Sequence, residues 1–182
     1  TIQEGVDAAH AAGGGEVWVA QGVYADNVNA GDADALEDGD DVCVVWLKDH
    51  VVLFGGFEGT EDNRIHRDPE SFPTVIDGEN TRRCIIADSS SPSVLDGFTV
   101  ENGYEEAKPA LGSGMYIKNS LSQSIYDCSI RENKTQGGVS NPGYPSYGGG
   151  IYTQYARVFI QNTKISANVC QGGKGYSFSN QF

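Results

Sequence analysis

The 182 residues are 38% hydrophobic and include 24 glycines, which suits one globular, turn-rich domain and not a disordered chain. A formal net charge of −13 excludes nucleic acid and anionic membrane surfaces as partners, because both need concentrated lysine and arginine. No apolar run approaches transmembrane length, and Cys43, Cys84, Cys128 and Cys170 are too scattered for zinc ligation.

The first residue is Thr1, with no signal-peptide pattern after it, so either a leader has been removed or the chain is a piece of a longer one. Thr1 to Ala12 reads as the one helix. Thr1 caps it, Glu4 completes a capping box, Ile2, Val6 and Ala9 share a face, and Gly13-Gly14-Gly15 stops it. Its apolar face is small, so it should lie as a lid over something already built. Glu16 to Tyr24 follows as a first strand, with Val17 and Val19 on one side.

Asp26 to Asp41 carries seven acidic residues and no basic one, and reads as a loop because like charges repel and nothing there forms a core. Two readings stand. Asp32, Asp34, Asp38, Asp40 and Asp41 supply the hard oxygen ligands that calcium takes, although their order is not that of an EF-hand. Alternatively, the segment is a solvated acidic excursion. No other cofactor is called for.

Val42–Leu47 and Val51–Phe54 are dense strands, with Gly55-Gly56 as their stop and an irregular charged connection from Glu58 to Phe72. Thr74–Gly78, Cys84–Ala87 and Val94–Val100 are three more short strands bounded by turn residues. The cysteines read as buried free thiols on strands.

From Ser93 to Gly175 the sequence repeats. Ile125-Tyr-Asp-Cys-Ser-Ile130-Arg-Glu-Asn133 matches Ile160-Gln-Asn-Thr-Lys-Ile165-Ser-Ala-Asn168 at an offset of 35, and Gly112-Ser-Gly-Met-Tyr116 matches Gly148-Gly-Gly-Ile-Tyr152 at 36. A looser copy, Val94 to Asn102, shifts its apolar residues by one. Hairpin signals are few, so a β-sandwich fits poorly. Stacked parallel coils fit: isoleucines line the inside, and Asn102, Asn133 and Asn168 form a ladder at a turn that tolerates left-handed backbone. Glu105–Leu111 and Thr135–Tyr147 read as loops projecting from the stack.

These strings resemble the pectin-lyase-like right-handed parallel β-helix superfamily. More narrowly they are similar to surface proteins with polymorphic-outer-membrane-protein-type repeats, which alternate a Gly-Gly-Ala-(Ile/Leu/Val) string with Phe-x-x-Asn. Gly149-Gly150-Ile151 and Ser113-Gly114-Met115 approximate the first string, and Ile130-x-x-Asn133 and Ile165-x-x-Asn168 the second. The segments Ile2 to Ala9, Gly15 to Tyr24, Phe54 to Glu61, Arg67-Asp68 and Pro73 to Gly78 resemble the opening of such proteins. The expected fold is therefore all-β: one right-handed parallel β-helix over 1–182, with a short N-terminal capping α-helix (1–15), irregular opening coils (16–92) and regular coils (93–182), continuing beyond 182.

The resemblance implies an extracellular or cell-surface place, and a non-catalytic structural, fibre-forming or adhesin-like role. Hydrolases of this fold carry an Asp-Asp pair and a Gly-His-Gly string. Here Asp40-Asp41 is the one Asp-Asp pair, no Gly-His-Gly exists, and His10, His50 and His66 read as surface residues. Arg82, Arg83, Arg131 and Lys118 could lie near Asp127 in the manner of the lyases, but no motif selects them. Asp77-Gly78 and Asp96-Gly97 read as turn chemistry. The alternative is a carbohydrate-active enzyme with catalytic coils further along, or a carbohydrate-binding module. Tyr144, Tyr147, Tyr152 and Tyr155 suit sugar stacking or contact with a surface protein, or alternatively several of them simply stack up the outside of the coils. Self-association through an open C-terminal coil is the remaining partner expectation.

Overall fold

The computed structural model describes residues 1–31, 41–88, 92–139 and 142–175. Helix α1 (Ile2–Ala11) starts at Thr1, whose hydroxyl accepts from the Glu4 N–H within a complete capping box. It buries Ile2 and Val6 against the core. Gly5 allows this, since a Cβ there would sit 2.7 Å from Val17 Cγ1. Gln3 ties the helix down by accepting from the Trp46 N–H at 2.8 Å and donating to the Trp46 carbonyl at 3.2 Å.

The strands follow in five circuits. The first holds β1 (Gly15–Ala20), β2 (Gly22–Tyr24), β3 (Val28–Asn29) and β4 (Val42–Trp46). The second holds β5 (Val51–Phe57), β6 (Thr74–Asp77) and β7 (Arg83–Asp88). The third holds β8 (Ser93–Asp96), β9 (Phe98–Glu101), β10 (Tyr104–Ala107), β11 (Ala110–Leu111) and β12 (Met115–Lys118). The fourth holds β13 (Gln123–Tyr126), β14 (Ser129–Arg131), β15 (Lys134–Gly137), β16 (Ser146–Tyr147) and β17 (Ile151–Gln154). The fifth holds β18 (Val158–Gln161), β19 (Lys164–Ser166) and β20 (Val169–Gln171).

The first four circuits visit the same three main sheets in the same order, and among the described residues the fifth reaches the first two. The first sheet is β1-β5-β8-β13-β18, the second β2-β6-β9-β14-β19, and the third β3-β4-β7-β12-β17. Two small sheets, β10-β15-β20 and β11-β16, stand beside them. Every pairing among the described residues is parallel except β3 with β4.

Register puts like on like. In the first sheet Val17, Leu53, Leu95, Ile125 and Ile160 form one column. In the second, Ile76, Val100, Ile130 and Ile165 form another, and in the third Val45, Ile85, Met115 and Ile151 do. The isoleucines of the repeat therefore pair directly, as their spacing predicts. Leu53, Leu95, Ile125, Ile76, Ile130, Ile85 and Met115 have no exposed surface, and each such side chain contributes about 1.5–3 kcal/mol of burial. Ile160 and Ile165 occupy the same columns on the outermost strands and are 42% and 49% exposed.

The corners repeat as well. One residue in left-handed conformation turns the chain at Gly97, Asp127 and Asn162, which stack, and again at Asn102, Glu132 and Ala167. This corrects the expected asparagine ladder. Asn102 is a corner residue whose amide donates to Asp77, and the residue in register with Asn133 is Gly103. Asn133 and Asn168 do stack, the Asn133 amide donating to Asn168 Oδ1 at 2.9 Å, but neither is left-handed. Asn133 is fully buried, donates to the Val100 carbonyl at 3.1 Å and accepts from the Gly103 N–H at 2.8 Å. The amide serves as a pillar between circuits because it holds a donor and an acceptor in one plane.

Other boundaries shift for similar reasons. Glu16–Tyr24 divides at Gln21, and Val94–Val100 at Gly97, because each spans a corner between two sheets. Gly55 and Gly56 lie within β5 and do not end it, since a Cβ on Gly55 would come 2.6 Å from the Gly97 carbonyl oxygen of the adjacent circuit. The expected loops 105–111 and 135–147 are strand-bearing excursions that pair with each other, Tyr104–Ala107 with Lys134–Gly137 and Ala110–Leu111 with Ser146–Tyr147. Cys43 and Cys84 are buried on strands, Cys128 is buried at a corner, and Cys170 is exposed; all four are free thiols.

Asn133→Ala removes the pillar and strands the Gly103 N–H and the Val100 carbonyl in the interior. It should cost about 3 kcal/mol in urea unfolding, against about 1 kcal/mol for Asn102→Ala. Equal losses would reject the pillar.

Candidate functional site

The expected site residues do not converge on one place. Asp32, Asp34, Asp38 and Asp40 lie outside the described residues. Asp41 is buried and forms an ion pair with Arg83. Arg83 is itself 1% exposed. Its Nε donates to the Leu111 carbonyl at 3.0 Å and lies 3.5 Å from Glu105, and its guanidinium sits over the Tyr116 ring at 5.5 Å. One guanidinium thus joins Asp41, just before β4, to the excursion carrying β10 and β11. Among the described residues no three His, Cys, Asp or Glu side chains are grouped to hold a metal.

Of the tyrosines, Tyr152 stacks on buried Tyr116 at 5.8 Å and tilts against Tyr147 at 6.2 Å. Tyr116 and Tyr152 belong to a second apolar cluster on the outer face of the third sheet, in which Trp46, Ile86, Tyr116 and Tyr152 share one column. Ala30, just after β3, and Leu111 of β11 complete that cluster. Tyr144 lies on the fourth-circuit excursion, and Tyr155 stands apart at the corner between β17 and β18, 82% exposed. The structure brings Tyr147 and Tyr152 together and leaves Tyr144 and Tyr155 elsewhere.

A groove that composition and motifs did not reveal lies on the outer face of the first sheet. Phe54, Asp96 and Tyr126 share one outward column there, and Val52 and Val94 the next. The connection 58–72 forms the opposite wall. It is shaped by acidic side chains on backbone amides: Glu61 accepts from the N–H groups of Glu58, Gly59 and Thr60, and Asp68 from those of Glu70 and Ser71. Asn63 caps the short 3-10 turn Arg64–His66. The groove has a volume of about 670 Å³, in the range of small-molecule sites.

Two guanidiniums sit over Phe54, Arg64 at 4.6 Å and Arg67 at 5.0 Å. Arg64 also pairs with Glu16 at 2.7 Å. Arg67 reaches further in, donating to Asp96 Oδ1 at 2.6 Å and to the carbonyls of Gly55 and Asp96 at 3.3 Å each. Asp96 is therefore not the turn residue expected from Asp96-Gly97. Asp77 is one, accepting from the Glu79 N–H at 2.8 Å. Burial pushes the Asp96 carboxyl above its ordinary value, the nearby Asp127 charge adds to this, and Arg67 opposes it. The signal that could have marked the groove is the triplet Arg64, His66 and Arg67, a local basic run in a strongly acidic chain.

The other expected partners are placed without converging. Arg131 pairs with Glu101 at 2.5 Å, and Arg82 with Glu79 at 2.6 Å. His10, His50 and His66 are exposed. The buried Cys43 and Cys128 thiols are pushed up to about 12, first by burial, so both stay protonated and unreactive.

No protein-family model matches the chain, and no solved structure does. Among curated proteins it is similar to the uncharacterized protein all2391 of Nostoc sp., with 38% identity over 71 residues. That match covers 39% of this chain and 17% of the Nostoc protein, so the chain spans well under two thirds of its relative.

Arg83→Met leaves Asp41 and Glu105 without their cation and should cost about 3–5 kcal/mol, whereas the added change Asp41→Leu should recover much of it. Urea unfolding of both variants checks this, and no recovery in the double variant would reject the ion-pair account. For Asp96, a carboxyl that binds its proton more tightly when folded contributes stability fully below its ordinary 3.8, and that contribution is lost as pH rises through the folded-state value. The stability gap between the wild-type chain and Asp96→Asn should therefore narrow or reverse with rising pH. A gap that widens in favour of the wild type would show that Arg67 dominates burial.

Proposed function

We propose that the chain is a right-handed parallel β-helix of the pectin-lyase-like kind, with circuits akin to polymorphic-outer-membrane-protein-type repeats. In this reading it serves outside the cell or at its surface as a structural or adhesin-like module without catalysis of its own. The fixed order of sheet visits and the parallel register support the fold.

One observation carries the functional reading. Asp96 is the single carboxylate among the residues lining the groove, and Arg67 clamps both its side chain and its carbonyl. Glycoside hydrolysis ordinarily needs two carboxyls flanking the bond, one to protonate the leaving oxygen and one to act on the sugar or on water. Here the acid is spent on fastening the 58–72 connection to the sheet. Contact with a glycan or a protein then falls to the exposed side chains of the excursions and corners.

A second reading, a carbohydrate-active enzyme, draws on the same residue. A carboxyl pushed upward by burial in an open groove, with two guanidiniums beside it, is the environment in which a general acid is tuned.

The two separate in one assay. Incubated with pectin, alginate and related polymers, the purified chain should release neither unsaturated products nor new reducing ends above a buffer blank. Product formation that Asp96→Asn abolishes would overturn the non-catalytic reading.

A further inference from the structure

Gly103 is a glycine that the fold requires. It is buried, and a Cβ there would come 2.7 Å from Asn133 Oδ1 and collide with the Ser113 carbonyl oxygen. The residue before it, Asn102, turns its corner at φ +54, a backbone that asparagine accepts more readily than most residues. The stack therefore holds an Asn-Gly pair at this corner, the one such pair in the sequence. Asn-Gly is chemically labile, because the glycine nitrogen has no neighbouring side chain to hinder it and can attack the asparagine carboxamide carbon.

Two Asp-Gly pairs among the described residues, Asp77-Gly78 and Asp96-Gly97, are open to the same cyclisation. In each, the glycine N–H is committed to a backbone carbonyl of the following circuit: Gly78 donates to Glu101 at 2.9 Å and Gly97 to Tyr126 at 3.1 Å. An amide that donates to a neighbour keeps its proton and its place, and cannot swing onto the side chain before it. Gly103 is committed in the same direction, but its acceptor is a side chain, Asn133 Oδ1 at 2.8 Å. Asn133 is held in turn by the Val100 carbonyl at 3.1 Å and by Asn168 Oδ1 at 2.9 Å. The Asn102 carboxamide is held from the other side, donating to Asp77 Oδ1 at 3.1 Å. The nucleophile of one reaction is thus pinned to the fourth circuit and its electrophile to the second.

We propose that Asn102-Gly103 is a latent site of spontaneous deamidation, held shut by Asn133 of the next circuit, and that its conversion is a one-way step that loosens the stack. When the fourth circuit lifts from the third, the Gly103 nitrogen gives its proton to water and bonds to Asn102 Cγ. The Cγ–Nδ2 bond breaks, the side-chain nitrogen takes up a proton and leaves as ammonia, and a five-membered succinimide remains. Water then opens the ring at either carbonyl, leaving aspartate or isoaspartate at position 102. Water is the sole co-reactant, and nothing is oxidised or reduced. Either product puts a carboxylate where an amide donated to Asp77, so attraction between the second and third circuits becomes repulsion. Isoaspartate also lengthens the main chain at a corner whose flanking strand is in register with both neighbours. An opening of the fourth circuit is thereby written into the covalent structure. The reaction depends on the stacking of circuits and not on what the exposed excursions contact.

The test incubates the full chain, its variants and a synthetic peptide of residues 98–107 at mildly alkaline pH, at a temperature where circular dichroism shows the proteins folded. Mass spectrometry with peptide mapping then follows conversion at Asn102. The peptide should convert at least about 100-fold faster than the wild-type chain, which reacts only during rare local opening. Asn133→Ala should convert about tenfold faster than the wild type or more, since the Gly103 N–H loses its acceptor. Leu53→Ala empties a core position of the second circuit and leaves that acceptor in place, so it should stay within about threefold of the wild type. A measurement on the wild type alone covers the case in which Asn133→Ala does not fold. Urea below the unfolding transition should speed deamidation at Asn102 and hydrogen exchange at the Gly103 amide by the same factor, within about twofold, because both need that N–H to leave Asn133. A wild-type chain that converts as fast as the peptide would overturn the proposal. So would a folded Asn133→Ala no faster than Leu53→Ala, or a urea response that differs between the two rates. Asn102→Asp should melt below Asn102→Ala, and an equal or higher melting temperature would reject the loosening.

Discussion

Backbone hydrogen bonds between circuits impose the rule from which the remaining features follow. A parallel strand in the middle of such a stack gives its N–H and C=O groups to the circuits on either side, so a residue can choose only whether it points in or out. Each side chain also lies on its counterpart one circuit away. Columns of valine, leucine and isoleucine satisfy this rule by apolar contact, and Asn133 with Asn168 satisfies it by an amide that bridges circuits. The rule explains the corners too. Once one left-handed turn is fixed, the next circuit must turn at the same place, whether the residue there is glycine, asparagine, glutamate, alanine or tyrosine.

Additions to this frame obey the rule only locally. The excursions after β9 and after β14 leave the circuit between the second and third sheets, and because they leave at the same place they stack on each other. They cover the outer face of the third sheet, where Ile86 and Tyr116 are buried although they face away from the main core. Arg83 completes that roof. A fully buried guanidinium is tolerable because two carboxylates, a carbonyl and an aromatic ring receive it. The outer face of the first sheet is covered by a different device, the 58–72 connection, held by Arg64 and Arg67 over Phe54. Much of the first and third sheets' outer surface is therefore occupied by the chain's own excursions, which directs attention to the groove margin and to the corners.

Asp96 and Tyr155 contrast in how the fold holds them. Asp96 lies in the first-sheet groove, but its bonds run to Arg67 and their effect is to fix the wall. Tyr155 lies at the corner between β17 and β18, bears backbone strain and is left exposed.

The sequence by itself determined the strand-rich character, the capped first helix, the repeat and the partners of Ile125 and Ile130, because spacing between like residues is a one-dimensional property that parallel register carries directly into space. It also marked Tyr155 as one of four candidates, without a means of separating it from Tyr152. Tertiary structure alone decided that Tyr152 packs on Tyr116, that Asp41 belongs to Arg83, and that Asn102 turns a corner while Asn133 holds up the interior. It also decided that Phe54, Asp96 and Tyr126 line one groove with Arg64 and Arg67. Those outcomes depend on which residues meet across circuits of unequal length, and the excursions change that length from one circuit to the next. An offset of 35 residues in one place and 30 in another, as between Val100 and Ile130, is fixed only when each strand has paired with its neighbour in the sheet.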